Sequence, residues 1–265
     1  MDSRYDIIIF AGQSNMQGET EGLPEINDVI ENAMEYRLSG DGFIELKHPV
    51  GEEVGDGVLS GACKGCGTLV PDFCKEYTNK TGKKVVAVHT AKGATTIRTW
   101  LKGTERYECL KKKVLGAINK TKEIGEIDKI YFVWLQGESD AIIGTTKDEY
   151  KQMLIDLKNS LTEDLGIDEF CLIQIGYFCS IAPWLEFSKN GQGKPRDEAI
   201  MNAQKELAEN NGFIMLTEMC KEICLNPEYM NPFVGGHYNN KGMTLIGKTA
   251  GARLAEISAS KYGND

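Results

Sequence analysis

Short apolar runs alternate with amphipathic segments along almost the whole chain, and no other feature of the sequence restricts the fold as much. Tyr5–Phe10, Val85–Thr90, Ile130–Leu135, Phe170–Ile175 and Phe213–Leu216 are apolar, rich in Val, Ile and Phe, and too short for helices. They read as buried strands. Between them the period changes to that of a helix. Thr146 and Glu149 form a capping box ahead of Tyr150, Met153, Leu154, Leu157 and Leu161. Tyr107, Leu110, Val114 and Ile118 mark a second helix. A third begins near Pro195 and stops at Asn210-Asn211-Gly212, and the last starts around Asn239, burying Met243, Ile246, Ala250 and Leu254. Strand–helix alternation of this kind builds a parallel sheet with helices on both faces. With no long linker, low-complexity tract or internal repeat, one domain is expected over residues 1–265.

One stretch breaks the pattern. From Glu19 to Asp56 the chain is Gly-punctuated and lacks a helical period, with eleven acidic residues against only Arg37 and Lys47. Ala33–Leu38 and Phe43–Lys47, joined by Ser39-Gly40-Asp41-Gly42, predict a hairpin inserted after the first strand. Residues 19–60 are therefore expected to shape the substrate cleft.

Charge and cysteine usage narrow the function classes. Thirty Lys and Arg against 39 Asp and Glu give a formal net charge of -9, which argues against nucleic acid and anionic membrane as partners. The apolar run Ile7–Phe10 is too short for a secretory signal, and no stretch is long enough to span a bilayer. The eight cysteines are accordingly expected in a reducing cytoplasm. Cys63 and Cys66 form a C-x-x-C, and Cys220 and Cys224 a C-x-x-x-C. A zinc site from both pairs is disfavoured by the second spacing and by the lack of a nearby His, so inert thiols are the expectation. The oligomeric state stays open.

In open α/β sheets, ligands bind at the C-terminal ends of the strands. The first strand is followed by Gly12-Gln13-Ser14-Asn15-Met16 and the second by Ala91-Lys92-Gly93-Ala94-Thr95. The third leads into Gln136-Gly137-Glu138-Ser139-Asp140, and Gly235-Gly236-His237 precedes the final helix. A hydroxyl, Gly backbone, an amide, two carboxylates and an imidazole then share one rim, which is the inventory for acyl transfer. A serine needs a base, the base needs an acceptor to fix its tautomer, and the oxyanion needs donors placed in advance. Ser14 N–H, Gly93 N–H and the Gln136 amide are the candidate donors.

The blocks Gly12–Met16, Lys92–Trp100 and Trp134–Asp140 resemble the sialate O-acetylesterase and acetylxylan esterase branch of the SGNH hydrolases, which includes carbohydrate esterase family six. His237-Tyr238-Asn239-Asn240-Lys241-Gly242 is similar to the terminal His block of that group. The resemblance runs in order from residue 5 to about 255. It implies a three-layer flavodoxin-like fold with five parallel strands and metal-independent, cofactor-free hydrolysis of a small acetylated carbohydrate through an acyl-serine. By position it implies Ser14 as nucleophile, His237 as base, and Ser14, Gly93 and Gln136 as the oxyanion hole. Many members carry an Asp three residues before the His, where this chain has Val234, and the second block usually has a second Gly where Ala94 stands here.

With Val234 in that position, Glu138 is expected to orient His237, with Asp140 as the alternative acid. His48 and His89 are expected to be packing residues, and Trp100 and Trp134 core. The substrate is expected to be a neutral acetylated sugar, because an acidic lip repels a carboxylated one. Lys92 and Arg98 point instead to O-acetyl sialic acid. A catalytically inactive sugar-binding relative is the reading of another class. Flavin binding is disfavoured, because the loop after the first strand offers Gln13, Asn15 and Met16 rather than a phosphate cradle.

Overall fold

The computed structural model describes residues 3–262. In chain order the elements are β1 (Arg4–Gly12), α1 (Ser14–Gln17), β2 (Ala33–Arg37), β3 (Gly42–Glu45), α2 (Val70–Thr81), β4 (Lys84–His89), α3 (Glu105–Ile124), β5 (Glu126–Leu135), α4 (Glu138–Ile143) and α5 (Lys147–Leu165). There follow β6 (Glu169–Ile173), α6 (Glu186–Lys189), α7 (Gly193–Asn210), β7 (Ile214–Thr217), α8 (Cys220–Ile223) and α9 (Asn240–Tyr262). Residues 1–2 and 263–265 of the expected domain span lie outside the described residues.

The five apolar runs all become strands, and all are parallel: β4, β1, β5, β6 and β7 lie side by side in that order. β1 sits between β4 and β5 and is buried from Tyr5 to Gly12, which is why its sequence is a continuous apolar run rather than an alternating one. α2 and α9 pack together on one face of the sheet, while α3, α5 and α7 cover the other. The capping box at α5 forms, with Glu149 N donating to Thr146 Oγ1 at 3.3 Å and Thr146 N donating to Glu149 Oε2 at 3.0 Å. Trp100 and Trp134 meet edge to face in the core, their rings 5.4 Å apart. Among the described residues no helix is long and apolar enough to cross a membrane.

The sheet corrects the five-stranded expectation. Among the described residues it has seven strands, in the order β3-β2-β4-β1-β5-β6-β7. The inserted hairpin forms close to its predicted bounds, but instead of standing apart it extends the sheet. β2 pairs parallel to β4 through Ala33↔Val85, Met34↔Val86 and Glu35↔Ala87, and β3 runs antiparallel to β2. The physical reason is the open edge of β4, whose unpaired backbone groups are satisfied by the nearest extended segment.

At the end of β1 the chain turns sharply at Gly12, with φ +149°. A Cβ there would lie 1.9 Å from the Leu135 carbonyl oxygen, so no side chain fits. The turn is held by Gln13 N donating to that same carbonyl at 3.1 Å, and it delivers Ser14 to the first position of α1 beside the end of β5.

Candidate active site

Ser14 and His237 meet at the C-terminal ends of the strands. Ser14 Oγ lies 2.8 Å from His237 Nε2, and both residues line a cleft of about 380 Å³. The His237 ring stands edge to face against Phe178, with centroids 5.8 Å apart. That packing requires Gly236, whose φ is +78° and whose Cβ would approach the Phe178 ring to 2.4 Å. The loop before His237 is fastened by Asn231, a buried residue. Its N–H donates to the His237 carbonyl at 2.8 Å, and its Oδ1 accepts from Phe233 N and Val234 N at 2.9 and 3.2 Å. Its Nδ2 donates to the Glu19 carbonyl at 2.7 Å, tying the His loop to the segment that follows α1.

The expected orienting acid is not bonded to His237. His237 Nδ1 faces the Gly235 carbonyl oxygen at 3.1 Å, while Glu138 Oε1 accepts from Asn15 Nδ2 at 2.8 Å. Glu138 stands at the first position of α4, buried, with no partner among the described residues for its Oε2, and burial pushes its carboxyl above the usual range. Asp140 is engaged elsewhere: its Oδ2 accepts from Gln136 Nε2 at 2.6 Å and Ile97 N at 2.8 Å, and its Oδ1 from Thr145. Both carboxylates hold loops together, and neither reaches the imidazole in this arrangement.

Two of the three expected oxyanion donors are also occupied. Gln136 is fully buried, and its Nε2 donates inward to Asp140, to the Thr95 carbonyl at 2.8 Å and to Gln13 Oε1 at 3.2 Å. It does not line the cleft. Gly93 does, but its N–H donates to Gln17 Oε1 at 2.6 Å. The third donor is open: Ser14 N–H, in the first turn of α1, has no acceptor among the described residues.

Gln13 went unrecognised in the sequence. Its Oε1 accepts from Gln136 Nε2, Gly137 N and Ser139 N at 3.2, 3.4 and 3.1 Å, which fixes the orientation of its amide. Its Nε2 then has no acceptor among the described residues, and Gln13 lines the cleft beside Ser14. The available signal was its place between the Gly12 turn and Ser14, beside the end of β5.

Glu19 belongs to the acidic stretch, and its spacing does not set it apart from the other acids there. Of the eleven acidic residues there, it alone lines the cleft among the described residues. Its Oε2 lies 2.7 Å from His237 Nε2 and its Oε1 3.5 Å from Cys63 Sγ. Burial by itself would lower the pKa of His237, but the Glu19 carboxylate, the Gly235 carbonyl and the charge of Glu138 outweigh it and raise the value. The same contact holds Glu19 below the usual carboxylate range.

The remaining candidates are structural. His89 is buried within β4, where burial depresses its pKa to about 3, and His48 Nδ1 accepts from Thr68 N. All eight cysteines are free thiols. Cys63 lies in the cleft, its thiol pushed up to about 11 by burial and by Glu19, whereas Cys220 and Cys224 are buried. Among the described residues no group of three or more His, Cys, Asp or Glu side chains is arranged to hold a metal ion.

Comparison with known proteins bears on the family and the fold. Residues 4–219 match the family model described as carbohydrate esterase, sialic acid-specific acetylesterase. A probable carbohydrate esterase of Arabidopsis thaliana is 26% identical over 182 residues, covering 64% of this chain and 67% of the relative. The solved structure of an Arabidopsis thaliana protein superposes with a TM-score of 0.67 at 19% identity, over 99% of this chain and 100% of that one. A lipase/acylhydrolase from Enterococcus faecalis gives a TM-score of 0.53 at 12% identity, over 96% of each chain. At such identities these two structures speak for the fold alone.

Proposed function

The chain belongs to the carbohydrate esterases of the SGNH hydrolase group, and we propose that it removes acetyl groups from sugar hydroxyls through an acetyl-serine on Ser14. The observation that carries this reading is the 2.8 Å approach of Ser14 Oγ to His237 Nε2 inside the cleft, next to two open donors. In the proposed reaction Ser14 Oγ bonds to the acetyl carbon while His237 Nε2 takes its proton. The carbonyl oxygen, now an oxyanion, is held by Ser14 N–H and Gln13 Nε2, and Gly93 N–H joins them once Gln17 turns away. The ester C–O bond then breaks, and His237 returns the proton to the departing sugar oxygen. Water repeats the cycle on acetyl-Ser14, releasing acetate.

In this scheme the Gly235 carbonyl fixes the ring through Nδ1. A carbonyl directs the tautomer as a carboxylate does, but it stabilises the imidazolium with a dipole rather than a full charge. The Glu138 charge adds to it without a direct bond.

For the sugar, a neutral acetylated carbohydrate is favoured by the Glu19 carboxylate inside the cleft. The rest of the acidic stretch does not line the cleft among the described residues, and its hairpin is committed to the sheet edge. O-acetyl sialic acid is the second reading, favoured by Lys92, which also lines the cleft. The test is acetate release from acetylated xylo-oligosaccharides, acetylated monosaccharides and O-acetyl sialic acid. Higher kcat/KM on the neutral esters is expected. A preference for the sialate would reverse the choice of sugar, and no release from any ester would leave a sugar-binding protein without esterase activity.

A further inference from the structure

Glu19 lies outside the sequence blocks that make up the catalytic pattern, yet its carboxylate shares His237 Nε2 with the Ser14 hydroxyl, at 2.7 and 2.8 Å respectively. The other ring nitrogen faces the Gly235 carbonyl. A neutral imidazole has one N–H and cannot donate to a carboxylate at Nε2 and a carbonyl at Nδ1 together, whereas the imidazolium has two. The arrangement therefore suits the protonated ring, which has no lone pair with which to take the Ser14 proton. The position of Glu19 Oε2 is also one that the reaction needs. A leaving oxygen must come within hydrogen-bond reach of Nε2, beside Ser14 Oγ, to receive the proton.

We propose that Glu19 is a specificity-determining residue at the leaving-group position. The alcohol oxygen of the bound ester displaces its carboxylate from His237, and the displaced carboxylate then accepts a hydrogen bond from a neighbouring hydroxyl of the same alcohol. The inference rests on the esterase reading above and narrows its substrates to acetyl esters of polyols with a free hydroxyl vicinal to the ester oxygen.

The side chain is built to move on a fixed pivot. Its backbone carbonyl is held by Asn231 at 2.7 Å, while its side chain is about one-third exposed and, among the described residues, its carboxylate otherwise meets only the Cys63 thiol at 3.5 Å. Displacement takes the imidazolium away from the carboxylate, so the ring releases its Nε2 proton to water and becomes the neutral base, and a partly buried carboxylate left without a strong donor is costly. A vicinal hydroxyl restores the donor; an aryl or simple alkyl alcohol does not. The other charged groups around His237 are less placed to do this. Glu138 acts from the start of α4 with no bond to the ring, and Lys92 on the opposite loop donates to Ser60 Oγ at 2.9 Å.

The experiment compares kcat/KM for three esters: a monoacetylated methyl glycoside with a free vicinal hydroxyl, its analogue with that hydroxyl O-methylated, and p-nitrophenyl acetate. Wild type, Glu19→Ala and the isosteric Glu19→Gln are assayed, with thermal melts to confirm folding. Wild type is expected to prefer the free hydroxyl over its O-methyl analogue by about tenfold or more, the scale of one hydrogen bond to a charged group. Glu19→Ala is expected to lose that preference and to gain on p-nitrophenyl acetate. In both variants the acid limb of the pH–kcat/KM profile on p-nitrophenyl acetate moves to lower pH, because the carboxylate that favours the imidazolium is gone. A preference and a pH profile unchanged in Glu19→Ala, or in Glu19→Gln if the alanine variant does not fold, overturn the role of Glu19 while the esterase reading stands. A wild-type enzyme that hydrolyses none of the three esters removes both.

Discussion

Two buried carboxylates, one at each end of the sheet, are treated in opposite ways. Asp6, near the start of β1, accepts from the Tyr77 hydroxyl at 2.6 Å and from Lys129 N at 3.1 Å, with Lys83 Nζ 3.4 Å away. Tyr77, its proton committed to Asp6, accepts from Ser258 Oγ on α9, which in turn accepts from Tyr131. At the other end Glu138 accepts one hydrogen bond from Asn15, and both Glu138 Oε2 and Asn15 Oδ1 are left without partners among the described residues. Burial raises the pKa of both acids. The difference teaches where the chain is optimised for folding and where it is not. Asp6 ties β1 to α2 and β5 with each oxygen engaged, whereas the polar groups around Ser14 are incompletely paired, held in place by neighbours and left able to receive a substrate.

The comparison predicts that losing a rim group that touches the reacting atoms changes rate and leaves stability, while substitutions at the opposite end do the reverse. Ser14→Ala should lower acetyl-ester turnover by on the order of 10⁶, as loss of the nucleophile does in other serine hydrolases, with an unchanged melting temperature. Residual turnover near wild type would move the nucleophile elsewhere. Gln13→Ala should lower kcat by about 10²–10³ with little effect on KM, since the donor acts on the oxyanion and not on the bound ester. A loss confined to KM would assign the amide to ground-state binding. Asp6→Ala should cost about 2–3 kcal/mol in a denaturant titration, the scale of hydrogen bonds to a buried charged group, while kcat stays at the wild-type value. A fall in kcat without a fall in stability would erase the contrast between the two ends.

The smallest effect is expected at Glu138, and it sharpens the contrast most. Because Glu138 is not bonded to His237, Glu138→Gln should retain kcat within about tenfold, where loss of a true triad acid costs about 10⁴. Its stability should equal or exceed that of wild type, with a gain that grows as pH rises. The sign follows from the raised folded pKa. The carboxyl's contribution is fully present below its unfolded pKa and is lost as pH climbs through the folded one, a penalty that the neutral amide escapes. A drop of several orders of magnitude would mean that Glu138 reaches His237 during turnover.

Much of the fold was legible because continuous Val/Ile/Phe runs are needed wherever a strand is buried on both faces, as Ile7–Phe10 and Val85–Val88 are. The hairpin was legible too, from its turn residues. Its docking was not, because pairing with β4 depends on which open edge lies within reach, and periodicity carries no such information. At the site, Ser14 and His237 could be read because turn geometry and chemistry coincide at their positions. Glu138 is read from position alone, and Gly93 and Gln136 from position together with the family resemblance, and the structure gives each a nearer partner: Asn15, Gln17 and Asp140. Which of several acceptors a buried donor takes is settled by rotamer and distance, and neither is written in spacing. Glu19 was hidden among ten other acids. The useful sign was its place just beyond the four-residue helix that carries the nucleophile, where the chain turns back at Gly18.

Asn231 makes two distant parts of the chain report on each other. Phe233 is among the most exposed apolar residues described, and its amide would exchange quickly with solvent in an untethered loop, yet that N–H and its neighbour at Val234 are both held by the side chain whose other end grips Glu19. Deuterium uptake at those two amides is therefore a gauge of the grip on Glu19. If the whole Glu19 segment lifts when the cleft is filled, their protection falls; if only the carboxylate swings while its pivot stays put, it does not.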